Sequence, residues 1–136
     1  MTTFDQQIRD AIVRYLAVQS GIAAVLLFGS AAADRLHAHS DIDLAVLFRH
    51  ESVPDGFALV DMRGDLEQLI GRDVDLVVLN GASPIIAFQV LRYGVLLAAP
   101  DRPTYDRFAM RLVSEYADFK RIRHPIEEAM IKRRVS

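Results

Sequence analysis

The sequence predicts a small α/β domain, a mixed and twisted β-sheet backed by helices. Three observations carry that prediction. Ile22 to Phe28 is a continuous apolar run, as expected of a strand buried on both faces, and a second apolar run, to about Phe48, opens with Asp41 and Asp43 one residue apart. A third strand-like run spans Asp73 to Leu79. Between and around these runs, apolar residues recur at spacings of three and four, the period of an amphipathic helix.

The elements follow in order. Residues 3–19 read as a helix with Phe4, Ile8, Ile12 and Tyr15/Leu16 on one face. Thr3 is its expected cap, with Gln6 completing a capping box, and Ser20-Gly21 stops it. After the first strand, Ser30 to about Leu36 is expected to form a short helix, and His37 to Ser40 a loop into the second strand. Residues 49–56, with Pro54 and Gly56, read as a surface connection. Phe57 to Ile70 repeats helically at Leu59, Met62, Leu66, Leu69 and Ile70, and Gly71 ends it. Asn80-Gly81 marks a turn, and Ser83-Pro84 opens a helix through about Tyr93. Val95 to Ala98 is a short strand, Thr104 to Phe119 is helical, and Pro125 is expected to restart a last helix. Tyr93, Tyr105 and Tyr116 fall at helical positions and are expected to pack.

A chain of 136 residues is expected to form one domain over 1–136, with a motif core at about 20–98 and a C-terminal helical segment at about 104–136. With 51% apolar and 25% charged residues it has the composition of a soluble globular protein. No apolar run reaches the roughly 18–20 residues that span a bilayer. Met1-Thr2-Thr3-Phe4-Asp5 lacks the features of a signal peptide, so a cytoplasmic location is expected. The absence of cysteine excludes disulfides and thiolate metal sites. A formal net charge of −2 argues against strong general binding to nucleic acid. The segment from Lys120 to Arg134 is nevertheless basic. It is read as a solvated helix face or as a docking surface for an acidic partner or RNA.

The chemistry concentrates at Phe28-Gly29-Ser30, followed ten residues later by Asp41-Ile42-Asp43. Period-2 alternation puts Asp41 and Asp43 on one face of their strand. Two neighbouring carboxylates repel unless a cation lies between them, and a hard, oxygen-seeking ion such as Mg2+ resolves that repulsion. A Gly-Ser turn lets backbone N–H groups approach a phosphate. Together they point to a metal–nucleotide site. His37 and His39 flank Ala38 but lack further ligands for zinc and are read as loop residues; His50 and His124 receive no role.

This pattern resembles the signature of the polymerase-β-like nucleotidyltransferases. At this length it is similar to their minimal members, the MNT domains paired with HEPN toxins in toxin–antitoxin modules. The resemblance implies a third carboxylate in a strand after an intervening helix. Asp75 fits best, whereas Asp73 lies at the strand entrance, where a solvated or capping role is expected. It also implies Mg2+, in two ions, held by Asp41, Asp43 and Asp75, and ATP as substrate. Gly29 and Ser30 are expected at the phosphates. In many members Arg-Gly follows the Gly-Ser by a few residues; here Ala33 and Asp34 stand in their place, leaving Arg35 as a shifted substitute. For HEPN-paired members the acceptor implied is a tyrosine of the cognate toxin, with which the chain would form a hetero-oligomer. Two alternatives are AMP transfer to a small hydroxyl compound such as an aminoglycoside, and an antitoxin that acts by binding alone.

Overall fold

The computed structural model of the protein describes residues 4–29 and 41–135, with side chains described from Gln6 to Asp118 within those residues. The elements are α1 (Phe4–Ala17), β1 (Ile22–Phe28), β2 (Ile42–Phe48), α2 (Gly56–Ile70), β3 (Val74–Val78), α3 (Pro84–Tyr93), β4 (Val95–Ala98) and α4 (Arg102–Val135). Short 3₁₀ turns follow β2 at His50–Ser52 and β3 at Leu79–Gly81. The strands form one four-stranded sheet in the order β3-β2-β1-β4. β1 runs antiparallel to both β2 and β4, and β2 runs parallel to β3. The parallel pair needs a crossover, which α2 supplies.

Strand alternation gives the sheet two apolar faces. Ile22, Val25, Leu27, Ile42, Leu44, Val46 and Val74 point toward α1 and α2, which contribute Ile8, Ile12, Leu16, Met62 and Leu66. Ala24, Leu26, Ala45 and Leu47 point the other way, toward Ala87 and Val90 of α3 and Leu112 of α4. Both faces of the central strands are therefore sealed, the physical cause of the unbroken hydrophobic runs at Ile22–Phe28 and Leu44–Phe48.

The helix termini are closed by local polar contacts. Asp55 caps α2 by accepting from the Ala58 N–H at 2.8 Å. Gly71 ends α2 in the left-handed region at φ 71°, where a side chain is disfavoured. Ser83 caps α3 through the Ile86 N–H, with Pro84 in its first turn. The Tyr15 hydroxyl donates to Asp65 at 2.8 Å, tying α1 to α2. Burial, and then that bond to a carboxylate, pushes the Tyr15 hydroxyl up to about 12.

Three sequence expectations are corrected. The C-terminal region is one helix, α4, and not two. Pro125 withholds one N–H from a 34-residue ladder, a local loss that the remaining turns outlast. Leu69 and Tyr93 lie on outer helix faces, 53% and 66% exposed. Arg92 covers the Tyr93 ring from 5.1 Å. Tyr116 does pack, stacking on Phe88 with centroids 3.9 Å apart, and Tyr105 packs against the α3/α4 side of the core.

Asp101 closes the N-terminus of α4. It accepts from the Thr104 amide at 3.2 Å and the Thr104 hydroxyl at 2.7 Å, and pairs with Arg49 Nε at 2.9 Å. The Thr104 bonds, and then Arg49, hold its carboxyl below the usual carboxylate range. A carboxylate whose folded pKa lies below its unfolded value, about 3.9, stabilises the fold above that pH. This contribution is lost as pH falls through the folded pKa. Asp101→Asn is expected to lower the melting temperature at neutral pH and to flatten its fall between pH 5 and pH 3, in a thermal-denaturation series. An acid limb identical to that of the parent would contradict the linkage.

Candidate active site

The C-terminal end of β1 and the N-terminal ends of β2 and β3 meet at one end of the sheet, as their directions require. Phe28 pairs with Asp43 across the β1/β2 ladder, and Asp43 pairs with Asp75 across the β2/β3 ladder. Residues opposite each other in a ladder share a face. Asp43 and Asp75 are therefore neighbours, on the face whose apolar residues farther along are Ala45, Leu47 and Val77. Asp41 lies one residue before β2. Asp41 and Asp75 are exposed, and Asp43 is half-buried.

Gly29 gives this cluster its close packing. It adopts φ 69°, and a Cβ built on it would overlap the Asp43 carboxylate. The Asp43 side chain thus occupies space that any residue but glycine would fill. Burial pushes the Asp43 carboxyl up, and the charges of Asp75 and then Asp41 push it further. Both of the other carboxylates therefore act on Asp43, the electrostatic signature of one acidic cluster.

Whether that cluster suits a metal follows from its chemistry. Its donors are carboxylate oxygens, the set preferred by a hard divalent cation. Among the described residues no three His, Cys, Asp or Glu side chains close into a metal cage.

The β2/β3 register brings together Asp43, expected from strand alternation, and Asp75, expected from the resemblance, while Asp73 is exposed and contributes its carbonyl to the Ile42 N–H at 2.8 Å. Ser30, Arg35, the expected helix at 30–36, His37, His39, the Ala33-Asp34 departure and the Thr3 cap lie outside the described residues, as do the side chains of Lys120 to Arg134 and His124. One positioning residue went unnoticed in the sequence. Glu67 of α2 accepts from the Val74 N–H at 2.9 Å, fixing edge strand β3 one residue before Asp75. On a helical wheel Glu67 is an ordinary polar residue; only the crossover brings it to β3.

Comparison with known proteins places this geometry among characterised ones. The family model "Polymerase beta, Nucleotidyltransferase" matches residues 10–103. A relative from Aphanizomenon flos-aquae, named protein adenylyltransferase MntA, is 27% identical over 85% of this chain and 83% of its own. A crystal structure described as a toxin–antitoxin with AMP-PNP superposes with a TM-score of 0.77 at 28% identity, over 90% of this chain and 98% of the other. A structure of tri-AMPylated Shewanella oneidensis HEPN toxin in complex with MNT antitoxin contains a chain similar at TM-score 0.74 and 26% identity, covering 93% of this chain and 98% of that one.

The Gly29–Asp43 contact has two measurable consequences. Gly29→Ala is expected to lose about 1–2 kcal/mol from the left-handed backbone alone, and more from displacing Asp43, by denaturant unfolding. A change below about 0.5 kcal/mol would contradict the contact. For Asp43 the sign is opposite to that of Asp101. Its folded pKa is raised, so the ionised form is penalised at neutral pH, and the penalty is relieved as pH falls through the folded pKa. Metal-free Asp43→Asn is expected to melt above the parent at pH 8, with the gap narrowing toward pH 4. A lower melting temperature at pH 8 would count against it.

Proposed function

The chain belongs to the polymerase-β nucleotidyltransferase family, and from that premise we propose that it is a Mg2+-dependent protein adenylyltransferase acting as an antitoxin. Its substrates are ATP and a tyrosine hydroxyl of a cognate HEPN ribonuclease toxin, which AMP transfer neutralises. The observation that carries this reading is the ladder register aligning Phe28-Gly29, Asp43 and Asp75 at one sheet end, in a chain similar to those of toxin–antitoxin structures. The whole chain, 1–136, serves as one nucleotidyltransferase domain and works in a cytoplasmic hetero-oligomer with the toxin. No helix among the described residues is long and apolar enough to cross a membrane.

Asp41, Asp43 and Asp75 would hold Mg2+, in two ions, which when bound neutralises charge on the phosphate oxygens. The backbone around Gly29, with Ser30, would contact the β- and γ-phosphates. Arg35 would add a cation there, in place of the family arginine where Ala33 stands. Asp75, exposed on edge strand β3, would orient the tyrosine hydroxyl and take its proton. The tyrosine oxygen attacks the α-phosphorus, the bond from the α-phosphorus to the bridging oxygen breaks, and pyrophosphate leaves.

Intact-protein mass spectrometry of the neighbouring gene product, incubated with this chain, Mg2+ and each of the four NTPs, tests the proposal. Mass gains in AMP-sized steps with ATP are expected. Metal coordination supplies several kcal/mol at the transition state, so Asp41→Asn/Asp43→Asn is expected to slow transfer by about a thousandfold while retaining complex formation. A stable complex with no mass gain from any nucleotide would sink the enzymatic reading.

A further inference from the structure

We propose that a groove at the opposite end of the sheet from the carboxylates binds a small phosphorylated anion of the pyrophosphate class, through the guanidinium groups of Arg49, Arg107 and Arg111. The groove has a volume of about 810 Å³ and lies beyond the C-terminal end of β2, between the turn at Asn80-Gly81 and the first turns of α4. A further depression of about 180 Å³ continues from it past Phe108 and Arg111. These are the dimensions of a small-molecule pocket, and its lining is mostly polar, with Leu47, Phe48, Val53 and Phe108 beside the charged groups.

Its charge is unbalanced in a specific way. Asp101 also lines the groove, but its carboxylate already accepts from Thr104 twice and from Arg49 Nε. Arg49 uses only Nε in that pair, so its terminal nitrogens have no partner among the described residues. Arg107 has no acidic partner among the described residues and donates only to the Thr104 hydroxyl, at 3.3 Å. Arg111 reaches Glu115 only at 4.0 Å, the outer limit of an ion pair. By contrast Arg102, on the same helix but away from the groove, is paired with Asp106 at 2.9 Å. Arg107 and Arg111 are one helical turn apart, where like charges repel unless an anion lies between them. Guanidinium groups offer paired N–H donors that match phosphate oxygens. The size of the ligand follows from the lining. Glu51 in the groove and Glu115 in the adjoining depression flank the arginines, and would repel an extended polyanion such as RNA while leaving a compact one untouched.

Isothermal titration calorimetry with sodium pyrophosphate in EDTA, with matched ionic strength, tests this on the full chain. Without divalent cations the three aspartates repel the probe, so binding there does not interfere. Saturable one-site binding is expected. Arg107→Gln/Arg111→Gln should weaken it by about tenfold or more at unchanged melting temperature, while Arg102→Gln leaves it intact. Undiminished affinity in the double variant, or an equal loss in Arg102→Gln, overturns the proposal. So does binding of a short single-stranded oligoribonucleotide where pyrophosphate gives none; that outcome would assign the groove to nucleic acid.

Discussion

The contact between the Asp43 carboxylate and the backbone of Gly29 is the constraint to which the active end of this molecule is fitted. It places a half-buried carboxylate beside two others, an arrangement that repulsion opposes and that burial makes worse. A glycine at positive φ is the one residue that leaves room for it. Stability is therefore lost locally, as expected where side chains are set for a ligand more than for the fold.

The rest of the sheet supplies what that end withholds. Both faces of β1 and β2 are sealed by helices, so the carboxylates project from a rigid, close-packed core. Side chains then bind the loose ends of strands. Asn80 donates to the Phe48 carbonyl at 2.8 Å and accepts from the Phe48 N–H at 2.9 Å, acting as a missing strand at the end of β2. Glu67 accepts from the Val74 N–H at the start of β3, at the end that carries the carboxylates. Asp101 joins α4 to the segment leaving β2. Each clamp satisfies backbone or charge that would otherwise be left unpaired where regular structure stops.

Charge is distributed by the same logic. Acid collects where three strands begin or end, and arginine collects at the opposite end, around α4 and the exit of β2. The two ends are separated by an apolar sheet, so neither neutralises the other at close range. An overall charge near zero conceals this polarity, and composition alone could argue only against diffuse binding to polyanions.

Local periodicity was enough to find the elements. The apolar runs at 22–28 and 44–48, the cap residues Ser83 and Gly71, and the alternation that puts Asp41 and Asp43 on one face are properties of neighbouring residues, legible without a fold; Asp75 was singled out by the family resemblance. Periodicity was less able to decide which side of a helix meets the core, as Leu69 and Tyr93 show, because that depends on the angle at which neighbours pack. Nor could it foresee that a proline would be carried inside α4. Register between strands, the role of Glu67 and the gathering of Arg49 with Arg107 and Arg111 are decided only in three dimensions. They join residues far apart in the chain, and no spacing rule reaches across a crossover helix.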